Sequence, residues 1–545
     1  MASIKLRTAF SLLFASSVLA ADALFNAPPG VDIWCGKAYR PTNESFNPGG
    51  WLEEPTRSSK PLLDLRIYPR MNLYTEADAY GSLIVDAALS YTNGEAYEDS
   101  VTDKSTNITT PFSTLYAQTV PYNITIVGAS QDGAQSYTAT TQLFKLPSRT
   151  DGGSVTKIDK LYGGLMVQDY LTSNSTAWKP LLPYSFYVSW DGWLELDLTA
   201  NTHAYKDYGY NIIHVVPNAG LANEAFNFTE FGQFMDMCDE LELWVMYDMR
   251  WTYKNLTSVS EQVNMLKDRK SLLLWYTGDE PDGQSDTLNA TKDTYDLIKS
   301  LDPYHPVSLC LNCYNFYYAN YSSGADIIME DVYPISVNTS YSEPYGTVCN
   351  TTYGCCGCDD CQGDFEDISE RLDLLQQYQY WIGGPPKTVW GVPQAFGNET
   401  FWARYPTAAE EVVMAVLRIN HNAKGIVAWD WPTTPELGNV TSALAKTLTA
   451  DDLTAFLLGA PTMSLSVVGG SRVDAAGWMV GKKMLVSVVN LEYLDTASNM
   501  TIGLPTPAKG VSSTPWGEPW EVQNGNLVKS GLSSLEVDLM IVDLE

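Results

Sequence analysis

Leu272–Pro281 reads LLLWYTGDEP, and its interpretation decides the fold. A continuous apolar run ends abruptly in Gly-Asp-Glu-Pro, and a helical pattern begins beyond Asp282-Gly283. A run apolar on both faces suits a parallel strand buried between a barrel interior and surrounding helices. A carboxylate just past such a strand sits where barrel enzymes keep their chemistry, which makes Glu280 the first candidate for a catalytic acid. The plainer alternative is that Asp279-Glu280-Pro281 opens the next helix, whose N-terminus favours acidic side chains.

The same grammar recurs on both sides of this stretch. Strand candidates are Tyr184–Trp190, Tyr210–Val216, Leu243–Met249, Leu272–Gly278, Pro306–Asn312, Asp326–Tyr333, Thr388–Gln394 and Gly425–Trp431. Helical patterns lie between them at Phe228–Glu240, Ser258–Lys270, Asp286–Ser300, Ile368–Trp381 and Ala408–Asn422. Eight strand–helix units in about 270 residues match a (β/α)8 TIM barrel, expected here over an open doubly wound sheet. The flanks read differently. Short alternating segments such as Asp64–Tyr68, Ser82–Tyr91, Asn123–Val127 and Ser136–Leu146 predict an N-terminal β-sandwich. Met463–Val468, Met484–Asn490, Met500–Ile502 and Leu535–Val542 predict a small C-terminal β-domain. The expected division is 1–20 signal peptide, 21–182 β-sandwich, 183–460 barrel and 461–545 β-domain, consistent with a chain too long for one core.

Lys5 and Arg7, the apolar Ala9–Leu19 and the small-residue Val18-Leu19-Ala20 site have the form of an export signal. That core is too short to span a bilayer, and no later run reaches the roughly 20 apolar residues a span requires. A secreted, extracellular protein is expected, and thirteen Asn-X-Ser/Thr sequons from Asn43 to Asn499 agree with it. The net charge of −31 repels nucleic acid and anionic membranes, so neither is an expected partner. A monomer is the expected state. Of nine cysteines, five crowd into Cys349–Cys361, and Cys310 and Cys313 form a CxxC pair. In an exported chain these suggest local disulfides rather than zinc, with Cys238 left unpaired. The loop Cys349–Cys361 is either a plainly stabilised loop or a stapled rim over the cleft. Four scattered histidines make a His-built metal site improbable, and no metal or organic cofactor is expected.

The predicted strand ends carry Trp190-Asp191, Pro217-Asn218, Asp248 with Arg250 and Trp251, Asp279-Glu280, Asn312, Glu330-Asp331 with Tyr333, Gln394, and Trp429-Asp430-Trp431. Carboxylates, amides and large aromatics suit sugar rings, which present apolar C–H faces and a belt of hydroxyls. Any one aromatic is better explained as core; their concentration at strand ends favours a cleft. Trp190, Asp248, Arg250, Trp251, Asp279, Tyr333, Gln394, Trp429, Asp430 and Trp431 are therefore candidate substrate-binding residues. Phosphate-cradling Gly-rich loops, a GxSxG nucleophile elbow and a Cys–His pairing are all absent. Glycoside hydrolysis needs two carboxyl groups, one to donate a proton and one to act as nucleophile or water base. Glu280 fits the acid. For its partner Asp331 is the first choice and Glu330 the second, since consecutive strand residues point to opposite faces. Asp248, paired with Arg250, and Asp430 take supporting roles.

Gly278-Asp279-Glu280-Pro281 resembles the strand-four Asn-Glu-Pro of a large clan of (β/α)8 glycoside hydrolases, whose Glu is the acid/base. The chain is similar above all to poorly characterised barrel proteins with W-Y-x-x-D-E-P, D-x-Y-P and Q-A-F segments. Here these are Trp275–Pro281, Asp331–Pro334 and Gln394–Phe396. The resemblance implies that Glu280 is the acid/base. It departs at strand seven, where the clan carries a nucleophilic Glu and this chain has Gln394, an amide that cannot act as an anionic nucleophile. Either another strand supplies the second carboxylate, or the mechanism is inverting, or the protein is a non-catalytic relative. The expected function is a secreted glycoside hydrolase acting on an extracellular or cell-wall polysaccharide or oligosaccharide. The alternatives are a catalytically inactive carbohydrate-binding or cell-surface glycoprotein and, more remotely, a lyase or transglycosylase.

Overall fold

Eight parallel strands close into a barrel in chain order: Tyr184–Ser189, Ile212–Val216, Trp244–Asp248, Leu272–Asp279, Val307–Leu311, Ile327–Glu330, Thr388–Gly391 and Ile426–Trp431. The eighth pairs back onto the first through Tyr184↔Ile426 and Tyr187↔Trp429. The open-sheet alternative is thereby excluded, and the architecture is a (β/α)8 TIM barrel with strand-rich regions on both flanks. The computed structural model describes residues 31–38, 47, 49–97, 104–130, 133–168, 177–218, 225–350, 352–353, 356–496 and 498–545. The export signal expected at 1–20 lies outside the described residues. No helix among them is long and apolar enough to cross a membrane.

The barrel strands are buried on both faces, as their unbroken apolar runs require. Trp275 faces the helices, where its indole nitrogen donates to Asp302, while Tyr276 faces the interior. The helices start where side chains satisfy their free N–H groups. Asn227, Asn255 and Thr434 cap three of them, and Thr407 forms a reciprocal capping box with Glu410.

On the N-terminal side, a four-stranded sheet (Glu95–Ala96, Leu62–Pro69, Tyr80–Ser90, Lys104–Pro111) shares a core with the ribbon Tyr122–Ala129/Ser136–Leu143 through Ile67, Leu83, Val85, Ile126 and Leu143. A separate three-stranded sheet, Thr156–Ile158, Leu165–Gln168 and Trp178–Leu181, closes the lower end of the barrel. Its Ile158, Leu165 and Val167 join the interior cluster beside Ile212, Trp244 and Ile327, which stand at the starts of their strands. On the C-terminal side, a five-stranded and a four-stranded sheet enclose Val486, Val488, Met540, Ile502 and Leu527. The outer face of the larger sheet brings Trp478, Leu485 and Val489 onto the barrel's helical layer.

The disulfides differ from the expected pattern at one place. Cys349–Cys356 and Cys358–Cys361 are local bridges, but Cys313 pairs with Cys35 across 278 residues and leaves Cys310 a buried thiol. Cys310 lies within a strand and Cys313 beyond its end, so the CxxC spacing joins two different environments. Cys238 is also a free, buried thiol.

His421, at the C-terminus of the helix Ala408–Asn420, ties the barrel to the C-terminal sheets by donating to Asp373 (3.0 Å) and Asp474 (3.2 Å). Burial opposes its charge, but those two carboxylates outweigh it and lift the imidazole from 6.5 to about 9. Such a group stabilises the fold fully below its unfolded pKa, and the contribution is lost as pH rises through about 9. Urea unfolding of His421→Gln at pH 6 is expected to show a deficit of roughly 1–2 kcal/mol after solvent screening, shrinking towards zero above about pH 9.5.

Candidate active site

The fourth strand does not end as a regular strand would. Its register against the fifth shifts between Tyr276 and Asp279, and Glu280 takes a φ of 50°, a left-handed conformation uncommon for a residue with a Cβ. Gly278 permits the turn, because a Cβ there would lie 3.0 Å from the Pro281 ring. Asp279 and Glu280 consequently meet different partners within the same mouth of the barrel.

Glu280 meets Asp331 from the sixth strand's end under the amide of Asn312 from the fifth. Asn312 Nδ2 donates to Glu280 Oε1 at 2.9 Å and to Asp331 Oδ1 at 3.1 Å. Two oxygens accepting from one nitrogen at such lengths lie no more than about 6 Å apart. Burial first, then the charge and hydrogen bond of Asp331, then the charges of Asp279 and Asp282 push Glu280 well above the ordinary carboxylate range. Beneath them, buried Asp282 accepts from the backbone N–H groups of Gly283, Asn312 and Cys313. Burial lifts it to about 7 against the pull of those donors.

Asp279 belongs to a second network. Arg250 Nη1 donates to Asp279 at 2.6 Å, and Arg250 Nε and its backbone N–H donate to Asp248, both at 2.8 Å. His214 Nε2 donates to Asp248 at 2.8 Å, and the Tyr276 hydroxyl, itself reached by Tyr187, donates to Asp279. Burial holds His214 below its ordinary pKa, and burial raises Asp279 to about 6 although Arg250 pulls it down. The Arg250 guanidinium lies 5.2 Å from the Tyr187 ring, 5.6 Å from Tyr276 and 5.3 Å from Trp429. This places Trp429 at the mouth, half-buried beside Asp430, which burial raises to about 7.

The remaining expected site residues divide. Tyr333 packs in the interior against Phe396 and Trp402, and Trp251 stands 47% exposed at the rim with its indole N–H on Pro217. Trp190 and Trp431 face away from the mouth. Trp190 packs among Phe226, Phe231 and Phe234, and Trp431 among Phe186, Tyr205 and Tyr210, both in the strand–helix layer. Neither is placed to touch substrate. Glu330 points outward into a fully buried pair with Arg418, whose Nε donates at 2.5 Å, and accepts the Val332 backbone N–H. That pairing removes it from the carboxyl pair. Gln394 is buried and spent on the backbone, accepting from Ile335 N–H and donating to the carbonyls of Ile335 and Phe396.

His214, Asn312, Asp282, Tyr187 and Tyr276 carried no distinguishing signal in the sequence, although Asn312 stands at a predicted strand end. Tyr187 and Tyr276 are inward residues of strands one and four, and a layer-by-layer reading of the barrel would have found them. A cavity of about 490 Å³ lined by Lys160, Tyr162, Lys387, His421 and Lys424 lies at the opposite end of the barrel and holds none of these groups.

No family model matches the sequence, and no curated protein matches it. Among solved structures, the chain is similar to a GH30 endoxylanase from Clostridium papyrosolvens C71 at 12% identity and a TM-score of 0.41, over 67% of this chain and 97% of that one. A family 39 glycoside hydrolase from Bacteroides cellulosilyticus WH2 matches at 11% identity and a TM-score of 0.44, over 88% of this chain and 95% of that one. A maltogenic alpha-amylase from Thermotoga neapolitana matches at 12% and 0.43, over 66% and 99%. Likenesses this remote say nothing about activity.

Installing a carboxylate at strand seven tests the role of Gln394. Gln394→Glu leaves two carbonyls without their donor and buries a charge, so a loss of about 2–4 kcal/mol in chemical unfolding is expected, with no gain in any hydrolytic activity.

Proposed function

We propose that this chain is a secreted glycoside hydrolase that cleaves O-glycosidic bonds of an extracellular or cell-wall polysaccharide with retention of configuration. The observation that carries the reading is the meeting of Glu280 and Asp331 on one amide nitrogen, with Glu280 the member that holds the proton. Glycosidases divide their labour between two carboxyl groups in this way, and retaining enzymes set theirs closer together than inverting enzymes do. A raised pKa keeps the donor loaded at working pH.

In the first step Glu280 gives its proton to the glycosidic oxygen as that bond breaks, and an Asp331 oxygen bonds to the anomeric carbon. In the second step Glu280, now a carboxylate, takes a proton from water, whose oxygen displaces Asp331 and restores both groups. Asp279, fixed by Arg250 and Tyr276, adds negative charge beside the pair and helps keep the proton on Glu280. Trp429 offers an apolar face to a sugar ring. This two-carboxylate route calls for no cofactor. The barrel, 183–460, is the catalytic unit, and the flanking β-regions support it.

Export has its own support. The sequon asparagines among the described residues, from Asn107 to Asn499, are all exposed, as glycan acceptors must be. Local bridges such as Cys349–Cys356 suit an oxidising compartment.

The test is a polysaccharide panel with the purified secreted protein, followed by proton NMR of the first-formed anomer. Glu280→Gln and Asp331→Asn are each expected to lower kcat by roughly 10²–10⁴-fold while oligosaccharide binding persists. A wild type that binds glycans but releases no sugar would replace this reading with that of a binding protein. Activity is expected to fall on the alkaline side as Glu280 loses its proton, and the Glu330→Gln variant is expected to keep this pH profile while unfolding at lower temperature.

A further inference from the structure

The described N-terminal segment enters the site from outside the barrel. Ile33–Trp34 and Lys37–Ala38 form a short hairpin, and the Trp34 indole nitrogen donates to Asn312 Oδ1 at 2.9 Å. This is the same Asn312 whose Nδ2 donates to Glu280 and Asp331. An indole nitrogen can only donate, and a side-chain amide can turn either end towards a neighbour. Trp34 therefore decides which end faces the carboxyl groups. With its N–H on Oδ1, the amide nitrogen must point at Glu280 and Asp331. Reversal would set donor against donor at Trp34 and an oxygen against two carboxyls.

The hairpin is held from several sides, and each anchor lies on the fourth or fifth strand's end or the loop packed on them. Cys35 is bonded to Cys313, the residue after Asn312, with Cα atoms 5.4 Å apart. The Cys35 backbone N–H donates to the Gly283 carbonyl, and Lys37 Nζ donates to Asp359 and Asp360, both at 2.6 Å. The indole lies so close over Gly283 that a Cβ there would stand 2.5 Å from its ring.

We infer that Trp34, clamped by the Cys35–Cys313 disulfide, is a positioning residue that orients the Asn312 amide and so sets how readily the Glu280–Asp331 pair ionises. This deepens the proposed hydrolase reading and rests on it for its catalytic meaning. An N–H facing a carboxyl favours the ionised form, and a carbonyl oxygen facing it favours the protonated form. Removing the indole donor lets the amide turn over, so the lower of the pair's two midpoints rises. The other groups facing the pair, Asp279, Asp282, Cys310, Glu330, Tyr333 and, through Asp279, Arg250, are untouched by that change.

The experiment is Trp34→Phe, which keeps an aromatic ring over Gly283 and removes the N–H. Carboxyl carbons of ¹³C-labelled Asp and Glu are titrated by NMR without substrate, alongside the pH profile of kcat/KM. The lower midpoint and the acid limb are both expected to move up by about one pH unit, roughly tenfold in kcat/KM on the acid side, with KM changed less than twofold. An unchanged titration in a folded variant overturns the inference. A shifted titration in a protein that cleaves no glycoside leaves the inference standing and removes the hydrolase reading. Should Trp34→Phe fail to fold, Cys35→Ser with Cys313→Ser is titrated instead. There the same rise supports the inference, and an unmoved midpoint despite indole fluorescence reporting release of Trp34 overturns it.

Discussion

Two carboxyl groups meeting beneath one amide nitrogen are the constraint around which the site is arranged. Glu280 and Asp331 come from the fourth and sixth strands, and the fifth lies between them. Neighbouring strands run about 4.8 Å apart, so side chains two strands away converge across roughly 10 Å of backbone. Asn312, at the end of the intervening strand, fills that interval and bonds to both. The pair is thus a product of barrel closure and of the irregular end of strand four, where a left-handed residue turns its carboxyl towards the sixth strand.

The electrostatics of the mouth follow from an excess of acid in a water-poor place. Asp248, Asp279, Glu280, Asp282 and Asp331 crowd into it, and Arg250 is the cation that joins two of them. Charges so placed cannot all persist, so proton uptake by some carboxyls relieves what the guanidinium cannot neutralise. Glu330 shows the contrasting solution one residue before Asp331. It turns to the helical layer and takes Arg418 as a buried partner, anchoring the helix Ala408–Asn420 to the sixth strand.

The barrel was legible because its strands are buried on both faces and therefore appear as unbroken apolar runs, as in Leu272–Asp279. Strand ends were legible for the same reason. The direction of each side chain beyond them was not. Period-two alternation says that Glu330 and Asp331 part company, but what draws Glu330 outward is Arg418, 88 residues away. Trp190 and Trp431 sit at strand ends like Trp429, yet they fill the strand–helix layer, because aromatic bulk serves a core as well as a cleft. The link from Cys35 to Cys313 spans 278 residues and left no local trace, so Trp34 could not be connected with the site from spacing alone.

The three-stranded sheet beneath the barrel has a consequence for how the protein is divisible. Its Ile158, Leu165 and Val167 complete the hydrophobic interior from below, although they precede the first barrel strand in the chain. A barrel excised at Tyr184 would open a greasy hole at its base and lose the indole that governs its mouth. The barrel is therefore not an autonomous cassette that could be transplanted into another host protein, for it borrows its floor and one wall of its entrance from the sequence ahead of it.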